Sequence, residues 1–179
     1  MREGVRLSRL LHEPLPDAVE DEYVRKLAEP GGLDPAELLE VCQSAVFISC
    51  GFLFDNRDQG LNVYGNTVLL VVHQVSHLSS ELPRVPSDRR KWDVANSEVR
   101  ARPDGVDVSL TLYPGGSCAA SGTRVSLYDL EVEGLEQPAD YMDPEDEVVA
   151  NMATWASKAH IRGIARLGPS VRGYLTVLK

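Results

Sequence analysis

The stretch NTVLLVVHQVSHLSSEL, residues 66–82, decides the fold, because it reads in two ways. Thr67 to Val72 are leucine or β-branched, the composition of a strand. At wider spacing, Val68, Val71, Val72, Val75, Leu78 and Leu82 follow i, i+3, i+4, i+7, i+10 and i+14, one stripe of an amphipathic helix. Asn66 is available as its N-cap. A single strand running to Leu82 would be unusually long. The spacing therefore predicts a helix over residues 66–82.

Toward the N-terminus the same logic gives more helix. Pro14 and Pro16 close an N-terminal arm over residues 1–15. Asp17 can cap a helix reaching Ala28, with Val19, Tyr23, Val24 and Leu27 on one face, and Pro30-Gly31-Gly32 stops it. Asp34 and Pro35 form a favourable helix start. Leu38, Leu39, Val41, Cys42, Ala45, Val46 and Ile48 then predict a largely buried central helix. Asp55 to Gly65, with two glycines and two asparagines, reads as a loop.

Past Pro83 and Pro86 the pattern changes. Residues 83–91 read as a Pro/Arg-rich linker into a β region spanning Trp92 to Leu135. Arg102-Pro103-Asp104-Gly105 is a turn. Val106, Val108, Leu110 and Leu112 alternate with Asp107, Ser109, Thr111 and Tyr113, a strand with one wet face. Pro114 to Gly122 reads as a loop of small residues, and the next strand opens at Thr123. Its inward set passes from Val125 and Leu127 to Tyr128, Leu130 and Val132, which predicts a bulge near Tyr128. The segments Val106–Tyr113 and Thr123–Leu130 are expected to pair antiparallel.

Asp143, Pro144 and the acids Glu145, Asp146 and Glu147 mark the start of a long C-terminal helix. Val148, Val149, Met152, Trp155, Ala156, Ala159 and Leu167 would be its apolar face, and Gly168-Pro169 its stop. Val171 to Leu178 would return as a short edge strand. The expectation is a single α+β domain over 1–179: helices first, an antiparallel meander of three or four strands, and a long C-terminal helix packed on the sheet.

The 179 residues suit one core. With 18 basic against 27 acidic residues, the net charge of −9 argues against nucleic acid and anionic membranes, whose binding needs clustered cations. Cys42, Cys50 and Cys118 form an odd set without a C-x-x-C pair, which argues against a disulfide framework or zinc ribbon. Residues 1–11 lack the apolar stretch of a signal peptide, and no run is long enough to span a membrane, so a cytoplasmic location is expected.

Four groups of residues carry candidate chemistry. On a helix, His73, His77 and Glu81 fall at i, i+4 and i+8, where two imidazoles and a carboxylate can approach one metal, with His160 or Asp55 as a further ligand. The H-E-x-x-H signature is broken by Gln74, so no metal or other cofactor is expected and two polar-face histidines are the simpler reading. The tract Gly115 to Gly122 holds Ser117 and Cys118 among glycines but lacks the lysine of a phosphate loop. The basic cluster Arg84, Arg89, Arg90, Lys91 beside Trp92 reads as salt-bridging or exposed linker rather than nucleic-acid contact.

The acid run is the fourth group. Asp129, Glu131, Glu133, Glu136, Asp140, Asp143, Glu145, Asp146 and Glu147 follow one another with no basic residue among them. Helix capping accounts for Asp143 onward. Glu131, Glu133, Glu136 and Asp140 have no such local reason and are the expected contact with a protein partner of basic surface. The favoured expectation is therefore a non-catalytic binding or assembly factor: an antitoxin or immunity-type inhibitor, or an accessory subunit. The alternative is a small enzyme or ligand-binding protein whose pocket uses His73, His77 and Glu81, with Tyr113 or Tyr128 contributing from the sheet.

Overall fold

The order of elements is β1 (Val5–Arg6), α1 (Leu7–Leu10), α2 (Glu22–Lys26), β2 (Glu37–Ser44), β3 (Ser49–Asp55), β4 (Thr67–His73), β5 (His77–Glu81), β6 (Trp92–Arg102), β7 (Gly105–Tyr113), β8 (Ser117–Gly122), β9 (Arg124–Val132) and β10 (Lys158–Leu167). The computed structural model describes residues 4–12, 20–34, 36–46, 48–57, 63–82, 91–135 and 151–169. The α+β expectation is overturned: the described chain is a ten-stranded antiparallel sheet with two short helices. Among the described residues no helix is long and apolar enough to cross a membrane.

For β3 and β4 the misreading has one physical cause. β3 and β4 are buried at every position, so neither shows the alternation of a half-wet strand. An unbroken apolar run contains a helical stripe by default, and residues 66–82 were expected as a helix for that reason. The expected central helix from Asp34 is instead β2 turning back into β3, paired from Glu37↔Asp55 to Ser44↔Ser49. Of the expected Asp17–Ala28 helix, residues 17–19 lie outside the described residues, and the remainder forms only α2, capped by Asp21, whose Oδ1 accepts from Tyr23 N at 2.8 Å.

At the C-terminal side there is no long helix over 151–167; residues 158–167 are β10. A register shift between Ile161 and Gly163 breaks its alternation in mid-strand, which disguised it as helical. The acids Asp143 to Glu147, the linker residues 83–90 and the segment Val171 to Leu178 lie outside the described residues.

The alternation in β7 is real: Val106, Val108, Leu110 and Leu112 are all buried. Its expected partner is not. β7 pairs with β6 and β8, whereas β9 pairs with β4 and β10. The intervening strand is β8, formed by the small residues read as a loop; Cys118, Ala120 and Gly122 are its buried positions. β9 has no bulge against β4, since pairing is continuous from Thr67↔Leu130 to His73↔Arg124. The change of inward set at Tyr128 arises because β9 is buried on both sides. Val125 and Leu127 enter one core; Tyr128, Leu130 and Val132 enter another.

The sheet closes on itself. β8 runs into β9 through the single residue Thr123, and β4 into β5 through residues 74–76, so these two composite strands pair along their length. Neighbours then run β9, β4, β3, β2, β6, β7 and β8, back to β9. Gln74 takes φ 50° at the bend in β4–β5, and a Cβ on Gly122 opposite it would strike the His73 carbonyl. The seam between β2 and β6 is narrow, with Glu37↔Asp93 and Leu38↔Trp92 its paired residues. Preceding residues extend it, through Val94 N to Ala36 O at 3.0 Å and Gly31 N to Ser97 O at 2.8 Å.

Inside the barrel, Phe52, Phe54, Leu70, Val72, Leu110 and Leu127 form the first core, with Val24 of α2 against it. The second core lies on the outer face of β3, β4, β9 and β10. There Leu53, Leu69, Tyr128 and Ile164 are covered by Leu7, Leu10 and Leu11 and by Ala153 and Trp155.

Candidate functional site

Strand register places side chains of the outer face in rows. One row is Leu53, Leu69, Tyr128 and Ile164, which is apolar except for one hydroxyl. The next is Gly51, Val71, Ser126 and Arg166, and the third is Ser49, His73 and Arg124. Thus the second core ends in a polar patch. Gly51 lacks a side chain because Leu11 and Trp155 occupy the space above it: a Cβ there would meet Leu11 Cδ2 and Trp155 Cη2.

Within the patch, His73 Nε2 stands 2.9 Å from Ser126 Oγ, and both residues are buried. Burial, then the guanidiniums of Arg124 and Arg166, lower the His73 pKa to about 4, so the ring is neutral at physiological pH. Ser49 Oγ donates to Leu11 O at 2.8 Å. The Tyr128 hydroxyl lies close to Ser126 but makes no hydrogen bond of ordinary geometry among the described residues. Burial raises its pKa, with Ser126 and the two arginines opposing.

A second feature stands at the rim where β9 emerges from the barrel. Asp129, Glu131 and Glu133 continue the face of Val125 and Leu127. Asp129 is buried and accepts from Tyr64 N at 3.0 Å and Gly65 N at 2.9 Å. Its pKa is raised by desolvation against the pull of those two amides. Glu133 stands 3.1 Å from His160 Nε2, and Glu131 4.0 Å from Arg162 Nε; all four side chains are more than a third exposed. Asn66 reaches Glu131 at 3.5 Å. The loop carrying it also holds Tyr64 out to solvent at 73% exposure, edge-on to Tyr23 at 51%, with ring centroids 6.1 Å apart. Lys26 Nζ lies 5.4 Å from the Tyr23 ring centre.

The residues grouped by helical spacing are therefore dispersed. His73 is buried on β4, whereas His77 and Glu81 are exposed on β5. The proposed extra ligands are engaged elsewhere, Asp55 with Arg57 and His160 with Glu133. Among the described residues no group of three or more His, Cys, Asp or Glu is placed to hold a metal ion. Cys118 points into the barrel, and burial raises its pKa, so its thiol is protonated and a poor nucleophile. Lys91 of the basic cluster is salt-bridged to Glu37 at 2.5 Å, while Arg84, Arg89 and Arg90 lie outside the described residues. So do Glu136 and Asp140. Tyr113 is exposed at 59% on β7, and Tyr128 is buried on β9 opposite Leu69, two rows from His73.

Sequence reasoning missed Ser126, Arg124, Arg166, Tyr23 and Tyr64. The first three join His73 only through strand pairing across as many as 93 positions of chain (73 to 166). No protein-family model, curated protein or solved structure matches this chain. Its function must be argued from its own chemistry.

Proposed function

We propose that this chain is a non-catalytic docking or assembly factor, of the inhibitor or accessory-subunit kind, that binds a protein partner through the rim formed by Glu131, Glu133, Tyr64 and Tyr23. The observation that carries the proposal is the edge-to-face pair of exposed tyrosines beside the carboxylate row. Tyrosine supplies large contact area at small entropic cost and is enriched where proteins meet. The neighbouring carboxylates select a basic partner and speed its approach. Their local pairs with His160 and Arg162 are solvent-exposed and weak, so a partner's cations can replace them. Glu136 and Asp140 would extend the same acidic stretch. Three free cysteines fit a reducing, cytoplasmic setting.

The test is affinity capture from the native cell, followed by measured binding of the captured protein at rising salt. Wild-type affinity is expected to fall with ionic strength, and Glu131→Gln with Glu133→Gln to slow association. Tyr64→Ala is expected to speed dissociation. A complex insensitive to salt and to all three changes would sink the proposal.

A further inference from the structure

Two exposed features lie side by side, away from the docking rim. The first is the outer edge of β5. Among the described residues β5 pairs only with β8, from His77↔Ser121 to Glu81↔Ser117, and no strand lies on its other side. Of its five residues only Leu78 is even partly covered. An open strand edge is a template for another chain, and folded proteins commonly blunt it with lysine, proline or a bulge. His77-Leu78-Ser79-Ser80-Glu81 holds neither of those residues, and its pairing with β8 runs without a register shift.

The second feature is the tip of the β2–β3 hairpin. Ala45, Val46 and Ile48 are exposed there, Val46 at 82%. Turns ordinarily carry glycine, asparagine or aspartate. Ile48 instead takes φ 49°, a region that β-branched residues rarely enter. Strand order sets this apolar tip beside the open edge. β4 has β9 on one side and β3 on the other, and β8 leads into β9, so the open side of β5 is the side on which β3 lies. Val75 N donates to Ile48 O at 2.8 Å, two residues before β5 begins.

We propose that β5 pairs antiparallel with β5 of a second copy of this chain, giving a two-fold dimer. The edge complements itself. With Ser79 opposite its own counterpart, each His77 faces Glu81 of the other copy, and each Leu78 faces Ser80. An imidazole N–H can donate to a carboxylate, and the two-fold axis makes that pair twice. The diagonal neighbours of Leu78 are then Leu78 and Leu82 of the other copy, close enough for apolar contact. In the same register Val75, and with it the Ile48 tip, lies next to Leu82 of the other copy. Such a dimer closes, since each copy has used its one open β5 edge. The rim of Glu131 and Glu133, at the opposite end of β9 from β8, keeps its own partner.

The experiment is sedimentation velocity of the full chain from roughly 1 μM to 1 mM, a span that covers modest specific association. A concentration-dependent step from monomer to dimer, and no further, is the expected result. A monomer throughout, or open-ended growth, overturns the proposal. His77→Glu sets glutamate against glutamate twice in each dimer and should weaken association roughly tenfold. Adding Glu81→His exchanges the two residues, restores unlike pairs and should recover most of that loss; a swap that recovers nothing overturns the pairing. Ile48→Asn separates interface from structure. Asparagine enters the left-handed region readily, so the dilute monomer should melt at the same or a higher temperature while dimerisation weakens. Dimerisation unchanged in both His77→Glu and Ile48→Asn also overturns the proposal. Hydrogen exchange checks whether the chain covers its own edge: β5 amides that face away from β8 should be protected only at dimer concentrations. Their protection in the dilute monomer would assign the edge to another segment of the same chain and overturn the second copy.

Discussion

Asp55 and Arg57, two residues apart where β3 ends, hold each other side chain to side chain. Arg57 Nε donates to both carboxylate oxygens at 3.0 and 3.2 Å, and Nη2 to Oδ2 at 2.6 Å. The side chain of Asp55 is only 2% exposed and that of Arg57 7%. The same guanidinium donates to Asn151 Oδ1 at 2.9 Å and to its carbonyl at 2.8 Å, tying the start of the segment that carries Ala153 and Trp155 to the barrel.

Breaking that pair from one side strands a buried charge. Asp55→Ala is expected to cost about 3–5 kcal/mol in urea unfolding. Replacing both, Asp55→Leu with Arg57→Met, should recover much of the loss, since the guanidinium that has lost this carboxylate is then absent as well. A double variant as unstable as the single one would show that the Asn151 contacts, not the ion pair, dominate.

His73 sets a pH dependence whose sign follows from its environment. Its folded pKa of about 4 lies below the ordinary 6.5, so the unfolded chain takes up the proton first. This group's contribution is complete above pH 6.5 and is lost progressively as pH falls toward 4, by about 3 kcal/mol in all. Among the described residues the groups acting on it are cationic or neutral: Arg124, Arg166 and the hydrogen-bonded Ser126. His73→Gln, which keeps a partner for Ser126, should flatten the stability profile between pH 6.5 and 4. An unaltered profile would assign the acid sensitivity to other groups.

Gly51→Ala probes the cover of the second core. The added methyl meets Leu11 and Trp155, so either the cover shifts or β3 does. The expected loss is about 1–3 kcal/mol, the usual range for overpacking. In a Trp92→Phe background, emission from Trp155 should move to the red. Unchanged emission with undiminished stability would mean that the cover gives way freely.

Asp129→Asn tests the support under Tyr64. Asparagine can accept from one of the two amides at Tyr64 and Gly65 but turns a donor toward the other. A loss of about 1–3 kcal/mol is expected, together with weakened partner binding, because Tyr64 is no longer held in place. Intact stability would show that the loop keeps its shape without the carboxylate.

The legible parts of this fold are those with one wet face. In β7, Asp107, Ser109 and Thr111 interrupt the buried positions, and its core residues could be named from alternation alone. β3 and β4 could not be read that way, since each serves two cores and carries no polar phase. β8 was hidden by its small residues, and β10 by the register shift after Ile161. For the site, His73 was singled out for the wrong reason. Helical spacing grouped it with His77, four residues on, whereas its partner Ser126 is 53 positions away and visible only once β4 lies against β9. The carboxylates Glu131 and Glu133 stand out in the sequence because they fall within one acid run; the tyrosines beside them come from two other segments.

β1 carries a consequence for how this protein is made. Val5 pairs with Ala159, and Leu7 N donates to Ser157 O at 3.0 Å. During translation the segment bearing Leu7, Leu10 and Leu11 leaves the ribosome some 150 residues before its strand partner. At usual elongation rates that interval is roughly 8–30 s. Throughout it, three leucines destined for burial are uncovered, and the outer faces of β3 and β4 lack their lid. The nascent chain is thus a natural client for holding chaperones, and it completes its second core only when β10 is delivered.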